Sequence, residues 1–293
     1  MGINYTEFRD SIKGMISKKD KILELNKFYL VIRNRKKIII YPKVKEIQIE
    51  DFINLREHIE TYENICLQYI PEEFYKTLKL YCKSNNIEIR NKFGLNLLTA
   101  KFDKEYFNLS GKDFIELRET INNIVRHNKV ICTENLDKDN ERIIEEIELM
   151  INEWNNSVGM KYRRTNHSGY DKNFFRQEFI KNREQYYSLF FYEPQNKKLL
   201  GYSIISKNFI KNENIKNYSY LLRKTLTNEK IRNLTLYVDY VSFKNIFNLN
   251  NEKEYNINWG ASKGTLLKYK KKFPIKQEEK VFFISFKAKE LFK

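Results

Sequence analysis

The chain has 293 residues, 41% of them hydrophobic and 15% aromatic, with nine glycines and four prolines. That composition supports a packed core and excludes a fibrous, loop-rich or mainly disordered protein. Basic residues outnumber acidic ones by 54 to 38, a formal charge of +16, which favours polyanionic partners such as nucleic acid, phosphorylated cofactors or an anionic surface.

Enrichment of Lys, Asn and Ile through genome base composition would give the same charge, so charge alone decides nothing. Cys66, Cys82 and Cys132 are widely spaced, and His58, His127 and His167 stand alone. Neither set has the spacing of a disulfide framework or a zinc site, so no metal is expected. Met1 is followed by polar and charged residues rather than a signal-peptide pattern. No stretch approaches the roughly 18 apolar residues of a membrane span. A reducing, cytoplasmic setting fits these features best.

In chain order, residues 1–24 read as a polar helical lead. "KFYLVIRNRKKIIIYPKV" (27–44) places two apolar runs around a basic turn, a hairpin signal. A helix is expected over 50–60 and a strand over 64–69. Pro71 then opens a helix to about Cys82, and residues 87–102 suggest a second strand pair. "NLSGKDFIELRETINNIVRHNK" (108–129) reads as a helix with Ser110 and Asp113 as a capping-box start. Its apolar face is Phe114, Leu117, Ile121 and Ile124. The polar stretch 133–142 is the expected boundary between domains.

Helices are expected over 142–156 and 171–186, with an irregular basic segment between them. Two strands around a Pro-Asn turn follow at 186–206. "NLTLYVDYVSF" reads as a strand (234–240) entering a short helix (241–248). A strand at 255–259, a lysine-rich helix at 263–272 and a closing strand at 280–286 complete the chain. Both halves, 1–132 and 133–293, thus carry hairpin strands and then helices alternating with strands. The pattern is α+β, or mixed α/β, with one sheet per half.

The order of the second half resembles the GNAT acyltransferase fold. "FNLSGKDFIELRETINNIVR" together with "NINWGASKGTLLKYKKKFP" is similar to the tandem-GNAT group. That group holds the phosphatidylglycerol lysyltransferase catalytic domain and the Fem-type aminoacyltransferases. The resemblance covers roughly residues 90–290 and implies two GNAT-like halves and transfer of an acyl or aminoacyl group to an amine or hydroxyl. It implies aminoacyl-tRNA or acyl-CoA as donor. Acetyl-CoA-binding members carry Arg or Gln, two spacers and Gly-x-Gly or Gly-x-Ala. Gly260 and Gly264 are too far apart for that, which disfavours acetyl-CoA.

Such chemistry needs a held phosphate handle, a stabilised carbonyl oxygen and a protonated leaving group. A strand end running into a helix N-terminus offers backbone N–H groups to phosphate. Asn258, Trp259, Gly260, Ser262 and Gly264 form the expected cradle, with Lys268 and Lys270 adding charge. An ordinary capped and solvated helix has the same local pattern. Tyr237 and Asp239, on one face if the segment is a strand, are the acid–base candidates, although Asp239 is equally suited to capping a helix. Arg163, Arg164 and His167 in the basic segment are candidate substrate contacts, and Arg118 is a candidate structural anchor. An acyl-CoA enzyme acting on a nucleic-acid amine, and a non-catalytic nucleic-acid-binding protein, are the alternatives.

Overall fold

The computed structural model describes residues 21–34, 36–127, 129–133, 140–159, 172–207, 210–212, 215–226, 231–250 and 253–291. Its strands are β1 (Lys21–Leu25), β2 (Phe28–Asn34), β3 (Lys37–Pro42), β4 (Asn64–Pro71), β5 (Asn91–Asp103) and β6 (Ile131–Thr133). There follow β7 (Tyr186–Tyr192), β8 (Leu199–Ser206), β9 (Ile210–Asn212), β10 (Ile215–Thr225), β11 (Glu254–Ser262) and β12 (Ile275–Lys287). The helices are α1 (Ile49–Ile53), α2 (Arg56–Ile59), α3 (Glu72–Ser84), α4 (Lys104–Asn108), α5 (Ile115–Arg126), α6 (Asn140–Trp154), α7 (Leu234–Asn250), α8 (Gly264–Lys270) and α9 (Ala288–Leu291). The fold is mixed α/β, with mixed sheets flanked by helices.

The contacts divide the chain into two compact units, Met1–Thr99 with Gly260–Lys293, and Ala100–Trp259. This division differs from halves at 1–132 and 133–293 because the last strand, β12, lies between β4 and β5 in the first unit. Residues 134–139 of the expected linker lie outside the described residues.

In the first unit the strand order is β1-β2-β3-β4-β12-β5. The expected hairpin is present: β2 and β3 pair antiparallel from Phe28↔Pro42 to Asn34↔Lys37. β3 and β4 run parallel, paired from Lys37↔Asn64 to Ile40↔Leu67, with α1 and α2 in the crossover. Pro71 is the N-cap of helix α3, and Glu72 and Glu73 sit at the helix's positive end. Phe74, Tyr75, Leu78 and Cys82 recur at helical spacing and bury one face against Phe282 and Ile284. Residues 87–102 do not form a strand pair. β5 is one 13-residue strand, because Gly94 sits in extended backbone rather than in a turn.

In the second unit the order is β5-β11-β10-β8-β7-β6, with β9 paired to β10. α6 packs Ile143, Ile147 and Met150 on one face, with Phe190, Tyr202 and Ile204. Ile124 of α5 and Leu234, Tyr237 and Val238 of α7 share the other with Leu189 and Phe191. The alternation along β7 decides which residue serves which layer. β8 is buried throughout. At Gly201 a Cβ would stand 2.9 Å from the Lys224 carbonyl oxygen, so only glycine lets β10 approach.

Ser110 does not cap α5. The helix follows a 3-10 turn at Lys112–Phe114, and Phe114 is its N-cap. The segment is instead held by Arg118, whose Nη1 donates to the Leu109 carbonyl and, at 2.8 Å, to that of Gly111. Both residues have positive φ, 52° and 92°, so the guanidinium ties down a left-handed bend at the helix entrance.

Candidate functional site

Two elements differ from expectation. "IKNYSYLLRKT" forms β10, a strand the polar start of the segment conceals. "LTLYVDYVSFKNIFNLN" is the 17-residue helix α7 and not a strand followed by a helix. Its first turns are buried on nearly every side, so the apolar run has no single face and cannot be told from a buried strand by periodicity. Once β10 is in place, α7 is the crossover between parallel strands β10 and β11.

β10 and β11 pair from Lys216↔Tyr255 to Ser219↔Asn258, and there the pairing ends. On its other edge β10 shifts register against β8 between Tyr220 and Leu222. A bulge re-aims side chains and frees part of a strand edge. Immediately past this point Tyr220 and Arg223 meet Asp239 from α7. Tyr220 Oη donates to Asp239 Oδ1 at 2.7 Å, and Arg223 Nη1 reaches Oδ2 at 2.5 Å. Asp239 is fully buried and the Arg223 side chain is 18% exposed. Burial, and then the Asp239 charge, push the Tyr220 phenol well above its ordinary range, so it stays protonated and donates. The Ser203 hydroxyl bonds the same phenol. Tyr106 is raised by burial and by the same carboxylate. Trp259 packs edge-on to Phe243 at 5.2 Å and lies 6.3 Å from the Tyr220 ring.

The expected acid–base pair is separated. Residues two apart on a helix point to different sides: Asp239 enters the polar cluster, and Tyr237 packs on Phe191 at 6.2 Å in an apolar layer. Burial raises the Tyr237 phenol as well.

The expected cradle residues lie along the end of β11 and in α8. Asn258 and Trp259 are buried in the second unit, whereas Gly260, Ser262, Gly264, Lys268 and Lys270 belong to the first. Gly260 and Gly264 have φ of 68° and 57°, and a Cβ at either would meet nothing within 4 Å. They are conformational glycines. Ser262 is buried with its Oγ unpartnered and is not the cap of α8; Lys263 holds that position. Lys268 is exposed but Lys270 is buried, so the two do not form one solvated stripe. Arg163, Arg164 and His167 lie outside the described residues.

Sequence reading missed Tyr220, Arg223 and Ser203. The available signal was the alternation Tyr218, Tyr220, Leu222 with an arginine next to it. A cleft of about 710 Å³ opens in the same unit, lined by residues that include Arg183, Tyr187, Lys207, Asn245 and Leu249. Among the described residues no group of three or more His, Cys, Asp or Glu could hold a metal ion, and no helix is long and apolar enough to cross a membrane.

No protein-family model matches the chain, and no curated protein matches it by sequence. Solved structures do match in fold. A conserved protein of unknown function from Bacteroides thetaiotaomicron aligns at TM-score 0.62 and 12% identity, over 97% of this chain and 92% of that one. The C-terminal domain of a protein assigned as lysylphosphatidylglycerol synthetase from Agrobacterium fabrum aligns at 0.54 and 11%, over 96% and 91%. A tandem GNAT protein from the clavulanic acid biosynthesis pathway aligns at 0.53 and 7%, over 95% and 87%. At these identities the likeness is one of fold: a GNAT-like fold, as the sequence resemblance implies.

Proposed function

We propose that the chain is an acyltransferase that moves an aminoacyl group from tRNA to an amine or hydroxyl, with its reaction centre where β10 parts from β11. The observation that carries this reading is the parting itself. The pairing of two parallel strands joined by a crossover helix ends at Ser219 and Asn258, beside a bulge and a buried ionic cluster. Backbone N–H groups of β10 past Ser219 are suited to a carbonyl oxygen as charge develops on it. Arg223, the partly exposed member of the cluster, meets the anionic part of the donor. Asp239 and Tyr220 are positioning residues that fix the guanidinium. A buried ion pair is a poor way to gain stability, which supports a task for it.

The donor assignment rests on residues 226–233, Leu-Thr-Asn-Glu-Lys-Ile-Arg-Asn, which contain no glycine and one acid. Close backbone approach to a pyrophosphate calls for glycine, so this stretch of sequence is poorly suited to CoA. The net charge of +16 suits a nucleic acid. The test pairs two measurements: thermal melting with aminoacyl-tRNA or acetyl-CoA, and transfer of a labelled acyl group from each to small amines and alcohols. A ligand that binds only the folded state raises the melting temperature. The expected result is a shift and transfer with aminoacyl-tRNA alone. Transfer from acetyl-CoA with none from aminoacyl-tRNA overturns the donor assignment, and transfer from neither overturns the enzyme.

A further inference from the structure

One face of the first unit's sheet carries a row of aromatic rings across neighbouring strands. Tyr41 on β3, Tyr69 on β4, Phe283 on β12 and Phe93 on β5 follow the strand order β3-β4-β12-β5. Successive centroids are 6.3, 4.5 and 4.7 Å apart, and the last pair is nearly parallel at 14°. Tyr29 on β2 continues the row opposite Tyr41. The other face of these strands is a separate apolar core, built on Phe282, Ile284 and the residues of α3.

Burial changes along the row. Tyr29 and Tyr41 are each 4% exposed, whereas Phe93 is 45% exposed. Lys263, itself exposed, places Nζ 5.4 Å from the centre of the Phe93 ring. The inner rings are explained by packing. The outer end is a flat ring backed by a second ring and partly open to solvent, with an ammonium over it.

We infer that Phe93 and Lys263 form a stacking site for the bases of single-stranded RNA. A base offers a flat π-face to Phe93, and the phosphate next to it offers a charge that draws the flexible Lys263 side chain from over the ring. The excess of basic over acidic residues supplies the complementary long-range attraction. Phe283 and Tyr69 behind Phe93 keep its ring in one orientation, which lowers the ordering cost of stacking. The proposal names a contact for the RNA of the preceding functional reading, but its binding test does not require catalysis.

The experiment measures fluorescence anisotropy of a short, unstructured, labelled oligoribonucleotide, with its duplex as control, against the full chain and its variants. Thermal melting checks folding. Phe93→Ala is expected to weaken single-strand binding roughly ten- to a hundred-fold, the effect of losing one stacked base. Phe93→Tyr is expected to retain it. Lys263→Gln is expected to lower the salt slope by about one. Should Phe93→Ala melt early, Phe93→Leu keeps packing on Phe283 without a flat ring and takes its place. Wild-type affinity in the folded Ala or Leu variant, or a Tyr variant as weak as Ala, overturns the site. Phe93-dependent binding without any acyl transfer leaves this site standing and removes the proposed reaction. Transfer from tRNA with Phe93-independent RNA binding does the reverse.

Discussion

Two regions of the molecule share one topology and fill it differently. In the first, β3 and β4 run parallel, pair as far as Ile40↔Leu67, and are joined by the short helices α1 and α2. In the second, β10 and β11 run parallel, pair as far as Ser219↔Asn258, and are joined by the long helix α7. Past the last pair the first region places rings: Tyr41 stacks on Tyr69 at 6.3 Å, and Tyr69 leans on Phe283. The second places charge, the buried Asp239 with Arg223 and Tyr220. Rings stabilise by burial and dispersion. A buried ion pair returns little net stability, because both ions lose their water. The same backbone device is thus used once for packing and once for polarity, and the polar copy is where chemistry is proposed.

The largest effect expected of a single change lies in the polar copy. Arg223→Met leaves the Asp239 carboxylate buried without its cation and is expected to cost about 3–5 kcal/mol, measured by urea denaturation. Adding Asp239→Leu is expected to restore most of that loss, because replacing both ions by apolar groups is often neutral. A single variant as stable as the wild type breaks the comparison.

The ring-filled copy has a different signature, on the alkaline side. Burial pushes the Tyr69 phenol from 10.0 up to about 12. Between those values the unfolded chain has released the proton and the folded one has kept it. Stability from this group is therefore full below pH 10 and lost as pH rises towards 12. A shift of this size corresponds to about 2–3 kcal/mol. Melting temperature against pH is expected to fall more gently above pH 10 in Tyr69→Phe. Equal slopes would show that the phenol is not protected.

Gly260→Val asks whether the 260–264 turn or the β10–β11 parting carries the donor. The new side chain has room but sits at φ 68°, so the expected cost is about 1–2 kcal/mol of backbone strain. Donor affinity is expected to change only in proportion to stability. Affinity lost in a variant that remains folded would return the donor to the turn. The smallest effect is at the surface. Glu278 is held below its ordinary range by its bond to Lys271, an ion pair at 2.7 Å. Lys271→Ala is expected to cost less than about 1 kcal/mol, and less again at high salt.

Much of the architecture was legible because its signals are local. Pro71 with two acids after it starts α3, and the basic turn between apolar runs closes the β2–β3 hairpin. β11, α8 and β12 follow their apolar runs and their lysine-rich turn. The failures share a physical cause. In "LTLYVDYVSF" apolar residues surround the helix, so helix and strand periods give the same reading. In "IKNYSYLLRKT" polar residues open a strand whose burial comes from its neighbours. Asp239 was legible as a residue but not in its role, since its partners Tyr220 and Arg223 are 19 and 16 positions away and only the sheet brings them together.

The most direct measurement is single-turnover transfer of a labelled aminoacyl group from tRNA by Arg223→Lys beside the wild type, with melting curves of both. Lysine keeps the charge against Asp239 but loses the planar fork that orients the bond. With the reaction centre at the β10–β11 parting, transfer is expected to fall about a hundred-fold, the scale of losing one aimed donor, while the fold persists. A folded Arg223→Lys protein that transfers at the wild-type rate would contradict the assignment.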